Sequence, residues 1–344
     1  MGFSLHRTRV SKFSLSLFAV LFLFAAQVLA QSVTTTTVKG RVTDRKTGRP
    51  LEFVNVFLSG TTIGAETDEK GMYEIKNVPE GRYKLIFSMV GYKVLVYDLV
   101  IRPGTIRTKN GRLAPQAIEG EGLVVSAKKG KGNRKWKKDF RKFRRQFIGE
   151  SVNGRETKIL NREVLSFRKD ERTGHFIATA SEPLLVENKR LGYKILVVLD
   201  SFRWSFEDKS GRYVIHPKFE EMKVKSMRQM IKWESNRAQT YQGSMRHFLQ
   251  SVVNDDWSSQ GFSTDKIIKR DQSQSNGKGY AISLAAGNSF NVFYRGSRSN
   301  LQIESPKGFE VDSYGNLKDP NMIIVSGQWM ANRLGDMLPF EYRK

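Results

Sequence analysis

The chain has 344 residues, 58 Lys and Arg against 34 Asp and Glu, a formal charge of +24, and no cysteine. The lack of thiols excludes a disulfide-held miniature scaffold, thiol catalysis and any cysteine-ligated metal. An aromatic content of 11% is too high for a disordered polycation. The charge therefore belongs to a folded protein, and it favours anionic partners through long-range attraction.

Residues 1–30 read as a secretory signal peptide. His6, Arg7, Arg9 and Lys12 form a basic start, residues 13–26 are apolar apart from Ser14 and Ser16, and Val28-Leu29-Ala30 places small residues before Gln31. The apolar run is shorter than the ~20 residues of a spanning helix, which favours cleavage over anchoring. No transmembrane helix is expected after cleavage. The leader removes three Lys/Arg and no acid, leaving about 314 residues at +21, enough for two domains. Export to the periplasm or the outer membrane argues against nucleic acid as a partner. It points instead to envelope polyanions (lipopolysaccharide, acidic glycan, phospholipid headgroups) or to an outer-membrane protein.

Residues 38–101 alternate in short runs. Val38, Gly40 and Val42 share a face, and residues 44–50 form a turn cluster with Gly48 and Pro50. Val54, Val56 and Leu58 share the next face, Gly60 and Gly64 bracket a loop, and Thr67-Asp68-Glu69-Lys70-Gly71 turns the chain. Residues 72–75, then Tyr83, Leu85 and Phe87, then residues 93–101 complete the strands. Strands this short, with turns every ~8–12 residues, predict a β-sandwich.

The same residues resemble the carboxypeptidase regulatory-like domain, a seven-stranded, transthyretin-like sandwich. The resemblance rests on Gly40-x-Val42-x-Asp44, Thr47-Gly48-x-Pro50-Leu51 and Val54-x-Val56-x-Leu58-x-Gly60-Thr61. It continues through Gly64-x-x-Thr67-Asp68-x-x-Gly71-x-Tyr73-x-Ile75, Val78-Pro79-x-Gly81-x-Tyr83 and Val90-Gly91-Tyr92. It implies a Greek-key-like sandwich over 36–115, of a carbohydrate-binding-like fold group, that spaces, docks or binds. Peptidase activity is not expected. A zinc site of that class needs a His-x-x-Glu pair, and three residues after His175, His216 and His247 stand Ala178, Phe219 and Gln250.

Residues 116–134 read as a basic linker, and eleven Lys/Arg fall between 128 and 145 against one acid, Asp139. A helix opens the next domain, 135–344, with Trp136, Phe140, Phe143 and Phe147 on one face. Two readings stand. The helix lies on an anionic surface with its aromatics inserted, or it docks those aromatics on the second domain and turns its cations to solvent. Lys137, Lys138, Arg141, Lys142, Arg144 and Arg145 are the candidate anion contacts under either.

The rest reads as α+β, a helical hairpin on a largely antiparallel sheet. Residues 164–167 and 175–180 are strands, and 193–199, apolar on both faces apart from Lys194, is a central one. Phe202, Trp204 and Phe206 then share a face, as sugar-stacking rings or as core. Residues 220–253 read as helical, with Met227, Ile231, Glu234, Ala238, Tyr241, Met245, Phe248 and Val252 on one stripe, all but Glu234 suited to face a core. Gly243 breaks that run and Ser244 caps a second helix. Residues 280–284, 290–294 and 322–325 return to strands. Tyr241-x-Gly243-Ser244-x-Arg246-His247-Phe248 and the ending Leu338-Pro339-Phe340-Glu341-Tyr342 look like the C-terminal part of exported bacterial proteins carrying this sandwich, a resemblance that adds no chemistry.

No catalytic residue, metal site or cofactor is expected. Ser244 lacks a Gly-x-Ser-x-Gly elbow, and Asp255-Asp256 offers a cation too few oxygens. The leading expectation is a non-enzymatic envelope binding or scaffold protein. The alternative is a hydrolase or glycan-processing enzyme using His175, His216, His247, Glu234 and Asp200, which requires at least two of them to converge in a cleft.

Overall fold

The computed structural model describes residues 36–102, 104, 106–116, 133–272, 279–319 and 322–342. The expected signal peptide, and residues 117–132 of the expected linker, lie outside them. Eight strands form two facing sheets. In the first, β1 (Thr36–Asp44) pairs antiparallel with β4 (Met72–Val78) and parallel with β7 (Ile106–Thr108) and β8 (Gly111–Leu113). The second runs β3 (Gly64–Glu66), β2 (Asn55–Leu58), β5 (Gly81–Ser88), β6 (Leu95–Ile101). β7 and β8 meet β1 in one continuous register, Thr37 opposite Ile106 and Val42 opposite Gly111. They are halves of one strand, interrupted where the Arg41 N–H donates to Asn110 Oδ1 at 2.9 Å. Counted so, the sandwich has the seven strands that the family resemblance implies. Its core takes Val38, Val42, Val54, Val56, Leu58, Ile75, Leu85 and Phe87, the inward members of each alternation.

The second layer follows α1 (Arg134–Phe147) and a single turn, α2 (Val152–Arg155). Its strands are β9 (Thr157–Ile159), β10 (Leu165–Lys169), β11 (Phe176–Ala180), β12 (Leu184–Asn188), β13 (Tyr193–Ser205) and β14 (Ser210–Glu221), all antiparallel. β13 is the long central strand. β14 follows one edge of it, while β12 and β11 share the other. Its pairing with β14 slips between Leu199 and Ser201. That bulge reverses the parity of the strand. Ile195 and Val197 enter the core before it, Phe202 and Trp204 after it.

The opposite face of β13 receives the sandwich. Phe57 and Ile86 are fully buried against Val198 and Leu196. Backbone bonds fasten the same contact: Gly60 N–H to Pro217 O at 2.7 Å, Phe219 N–H to Thr61 O at 2.8 Å, and Phe340 N–H to Gly60 O at 2.8 Å. A side chain at Gly60 would sit 2.5 Å from the Phe340 ring.

α3 (Met227–Tyr241) and α4 (Met245–Asn254) form the expected hairpin, with the Ser244 hydroxyl accepting from the His247 N–H at 3.2 Å. Glu220 and Glu221, read as helical, end β14 instead. α4 packs on two small antiparallel sheets. One is β15 (Phe262–Thr264), β18 (Ser289–Tyr294), β19 (Ser297–Ile303) and β21 (Ile323–Gly327); the other is β16 (Ile268–Gln272), β17 (Gly279–Leu284) and β20 (Phe309–Asp312). Phe248, Val252, Phe262, Phe290, Leu301 and Trp329 belong to a core of their own there. The span read as one unit over 135–344 thus carries two cores.

The inward stripe expected on α3 is corrected. Met227 and Ile231 are 67% and 61% exposed, and Trp233, Asn236 and Arg237 are buried instead, while Tyr241 is buried as expected. The surface that receives α3 explains the rotation. Lys189, Arg190 and Leu191 turn three consecutive carbonyls outward, and Trp233 Nε1 (2.9 Å), Asn236 Nδ2 (2.8 Å) and Arg237 Nε (2.9 Å) donate to them in turn. Burying those carbonyls unpaired would cost more than leaving two aliphatic side chains in water.

Candidate functional site

Helix α1 separates its two faces sharply. Asn133 caps it, its side chain accepting from the Trp136 N–H at 2.8 Å. Trp136 stacks on Phe140 at 5.3 Å, Phe143 stacks on Phe147 at 4.7 Å, and Phe143 meets Phe202 edge-on at 4.9 Å. Phe143 and Phe147 are fully buried. The helix is docked, and its aromatics are not available for insertion into a membrane.

The six candidate cations fall into two groups. Arg144 donates to Gly154 O at 2.7 Å and Thr157 O at 3.3 Å, tying α1 to the turn that follows. Lys142 lies 3.8 Å from Asp139 and 5.2 Å from the Phe206 ring centre, and Arg145 is 3.0 Å from Glu150. These three are engaged by the protein itself. Lys137, Lys138 and Arg141 are exposed, as are Arg134 and Lys135 beside them, and none of the five makes an ion pair among the described residues. Arg162, exposed and 5.9 Å from the Phe140 ring, extends the patch from another segment, where sequence spacing does not reveal it. The first turn of α1 holds no acid. Cations there oppose the helix dipole, so helix stability does not account for them.

The aromatic strand face is corrected as a stacking surface. Phe202 and Trp204 are 1% and 4% exposed, both turned inward by the bulge, and Phe202 meets Phe143, Phe147 and Tyr213. Phe206, 41% exposed, leans on Phe176 at 5.6 Å beneath Lys142.

The titratable candidates are dispersed. His175 is half-buried and Asp200 exposed, and Glu234 accepts from the Tyr342 hydroxyl at 2.8 Å. His216 is buried under the sandwich, its Nδ1 3.5 Å from Ser59 Oγ. Burial pushes its imidazole below the ordinary value, Asp200 pulls it upward, and Lys84 lowers it. Arg246 clamps the C-terminal segment, donating to Pro339 O at 2.8 Å and Tyr342 O at 2.9 Å. Asp255 lies 3.7 Å from Arg270, and Asp256 accepts from Gln260 Nε2 at 3.0 Å. Among the described residues no cluster of three or more His, Asp or Glu could hold a metal ion.

A cavity of about 500 Å³ opens where the α3–α4 turn meets the β18–β19 hairpin. Tyr241, Gln242, His247, Gln250, Asp256 and Gln260 line it, with Tyr294 and Arg295 at the far wall. A second hollow of about 250 Å³ shares Gln242, Tyr294 and Arg295 and runs on to Trp329. Tyr241, His247 and Asp256 of this lining are singled out by sequence. Gln250 and Asn254 lie one helical turn apart on α4, while Gln242 and Gln260 come from the turns that flank it.

No curated protein matches the chain. Among solved structures, the chain is similar to the pilus 2b backbone protein of group B streptococcus (14% identity, 24% of this chain and 41% of that one, TM-score 0.21). It is similar also to a type II cohesin–X-dockerin complex from Acetivibrio cellulolyticus (25% identity, 25% and 63%, TM-score 0.20) and to a DUF3823 family protein from Bacteroides ovatus (11%, 55% and 82%, TM-score 0.19). It spans less than two thirds of the first two. The family model of the CarboxypepD_reg-like domain matches residues 38–125, the stretch that forms the sandwich of β1 to β8.

Proposed function

We propose that this chain is a non-enzymatic binding or scaffold protein of the cell envelope. In this reading α1 holds a cationic face toward an anionic glycan, lipopolysaccharide or lipid headgroup. One observation carries it: the aromatic face of α1 packs into the second layer, while Arg134, Lys135, Lys137, Lys138 and Arg141 stand exposed without ion pairs among the described residues. A docked helix presents such a face rigidly, which lowers the ordering cost of a multivalent contact. The leader read over 1–30 supplies the compartment. Among the described residues no helix is long and apolar enough to cross a membrane, so attachment by α1 needs no span there. The sandwich supplies a docked spacer, fixed to β13 through Phe57 and Ile86.

The test is co-sedimentation of the mature chain with lipopolysaccharide-containing, anionic and neutral phospholipid vesicles, at low and high salt. The triple variant Lys137→Gln, Lys138→Gln, Arg141→Gln is measured beside it. Retention on the anionic vesicles should fall steeply with salt, because polycation contacts release counterions and are screened. The variant should bind about tenfold more weakly, about the loss of one or two surface charge contacts in a concerted patch. Equal, salt-insensitive binding by both chains would overturn the reading. Salt-sensitive capture of an outer-membrane protein, with no vesicle binding, would replace the lipid or glycan by that partner.

A further inference from the structure

We infer that the cavity between the α3–α4 turn and the β18–β19 hairpin binds a neutral, hydroxyl-rich ligand, a terminal sugar residue of a glycan. Its volume, about 500 Å³, lies within the ~300–1,000 Å³ range of small-molecule sites. Its lining is unusual for a crevice left by imperfect packing. Gln242, Gln250, Ser251, Asn254, Ser259 and Gln260 bring uncharged polar side chains to one space. Each amide offers both donor and acceptor, and so does each sugar hydroxyl. Asp256 and Arg295 are the two full charges of opposite sign in the lining, so it carries no net field to select an ion.

The polar groups are held in place before any ligand arrives. The Gly243 N–H donates to His247 Nδ1 at 3.1 Å, which puts the ring proton on Nε2, 3.4 Å from Gln260 Oε1. Gln260 in turn donates its Nε2 to Asp256 Oδ2 at 3.0 Å. The Tyr241 hydroxyl donates to Gln250 Oε1, which leaves the amide nitrogen of Gln250 for a ligand. Asp256 Oδ1 is buried without a hydrogen-bond partner among the described residues, a costly arrangement for a carboxylate oxygen. Tyr294 adds an aromatic wall, braced 4.6 Å from Phe262.

Arg295 provides an independent observation. It sits in the left-handed region (φ 45°), followed by Gly296 at φ 80°, in the two-residue turn between β18 and β19. Such turns favour Asn, Asp or Gly at the first position, and an arginine there is strained. Its guanidinium lies 5.3 Å from the Tyr294 ring centre, at the cavity wall. Turn chemistry alone does not select arginine at this position, whereas a donor fork at the mouth of a sugar site does. Cleavage is not expected. Glycoside hydrolysis uses two carboxyl groups across the scissile bond, and Asp256 is the single carboxylate of this lining.

The experiment is saturation-transfer NMR followed by calorimetric titration of the full mature chain. The probes are glucose, galactose, mannose and N-acetylglucosamine, with their β-linked disaccharides. At least one probe should bind, and Gln260→Ala and Asn254→Ala should each weaken it about tenfold, the typical loss of one well-placed hydrogen bond. Arg295→Gly should weaken it similarly while leaving the unfolding midpoint unchanged or raised, which a merely structural arginine would not do. Binding should survive high salt and the Lys137→Gln, Lys138→Gln, Arg141→Gln variant, so failure of the α1 reading leaves this one standing. The inference is overturned if no probe binds at millimolar concentration, if all three cavity variants bind as the parent does, or if the bound disaccharide is cleaved.

Discussion

Helices α1 and α3 are of similar length and both carry apolar residues at helical spacing, yet they dock by opposite means. α1 presents Phe143 and Phe147 to an apolar face formed by Phe202, Phe176 and Tyr213. α3 presents Trp233, Asn236 and Arg237 to three backbone carbonyls and leaves Met227, Met230 and Ile231 in solvent. The receiving surface decides. Where that surface is side chains, dispersion and burial select the aromatic stripe. Where it is carbonyls, the need to satisfy acceptors selects the donors, even from a helix with a more hydrophobic face to offer. Gly192 permits the second arrangement. It has φ 73°, and a Cβ there would lie 2.3 Å from the Trp233 ring.

The contrast can be broken most forcefully at Phe147. Phe147→Ala should cost about 3–5 kcal/mol, the range for emptying a fully buried aromatic site, read as a lowered urea midpoint of the layer built on β13. A loss below about 1 kcal/mol would mean that α1 is not anchored by its rings. The matching test on α3 is Arg237→Met, which keeps the aliphatic stem and removes the donor. It leaves Leu191 O without its partner and Glu221 without its ion pair at 2.9 Å. The expected cost is about 1–3 kcal/mol, mainly from the stranded carbonyl. Arg141→Met on the outer face of α1 should change stability by less than about 0.5 kcal/mol. Equal costs at 141 and 237 would show that the α3 carbonyl contacts contribute nothing.

The same contrast explains how much of the molecule its sequence announces. The sandwich is legible because Val54, Val56 and Leu58 alternate locally, and because every turn carries its own punctuation, as at Asp68 and Gly71. α1 is legible because its stripe is aromatic and unbroken, and the hairpin break at Gly243-Ser244 is legible as a cap. The bulge at Asp200 is not: it reverses which residues of β13 face inward, so Phe202 and Trp204 pass from an apparent display to the core. The face of α3 is illegible for another reason. The carbonyls that select it lie about forty residues earlier and leave no trace in the helix periodicity. The candidate cavity shares that difficulty, since Gln242, Gln260 and Arg295 meet only through tertiary packing.

His216 sharpens the comparison by pH, because it is buried at the contact between sandwich and second layer. Its folded pKa is pushed below the ordinary value of 6.5 by burial, against the pull of Asp200. As pH falls below 6.5 the unfolded chain takes up a proton before the folded one does. Stability is therefore constant above that value and declines with acid until the folded imidazole also titrates. The slope is at most about 1.4 kcal/mol per pH unit for one proton. Urea midpoints at neutral and mildly acid pH should differ in the parent and differ less in His216→Gln. An identical decline in both would assign the acid sensitivity to other groups.

The smallest expected effect is the most discriminating. Ile231 occupies a position that helical periodicity assigns to a core, and it is 61% exposed. If the carbonyl contacts set the rotation of α3, Ile231→Asn removes almost no buried surface and should shift stability by no more than about 0.5 kcal/mol, as substitutions on a free surface do. Ile231 and Trp233 are two residues apart on opposite sides of the helix, so a helix rotated to bury Ile231 would have to release the Trp233 bond to Lys189 O. A cost of several kcal/mol for Ile231→Asn would thus do more than revise one residue. It would require the acceptors at 189, 190 and 191 to find other partners, and it would return α3 to the same apolar logic that docks α1.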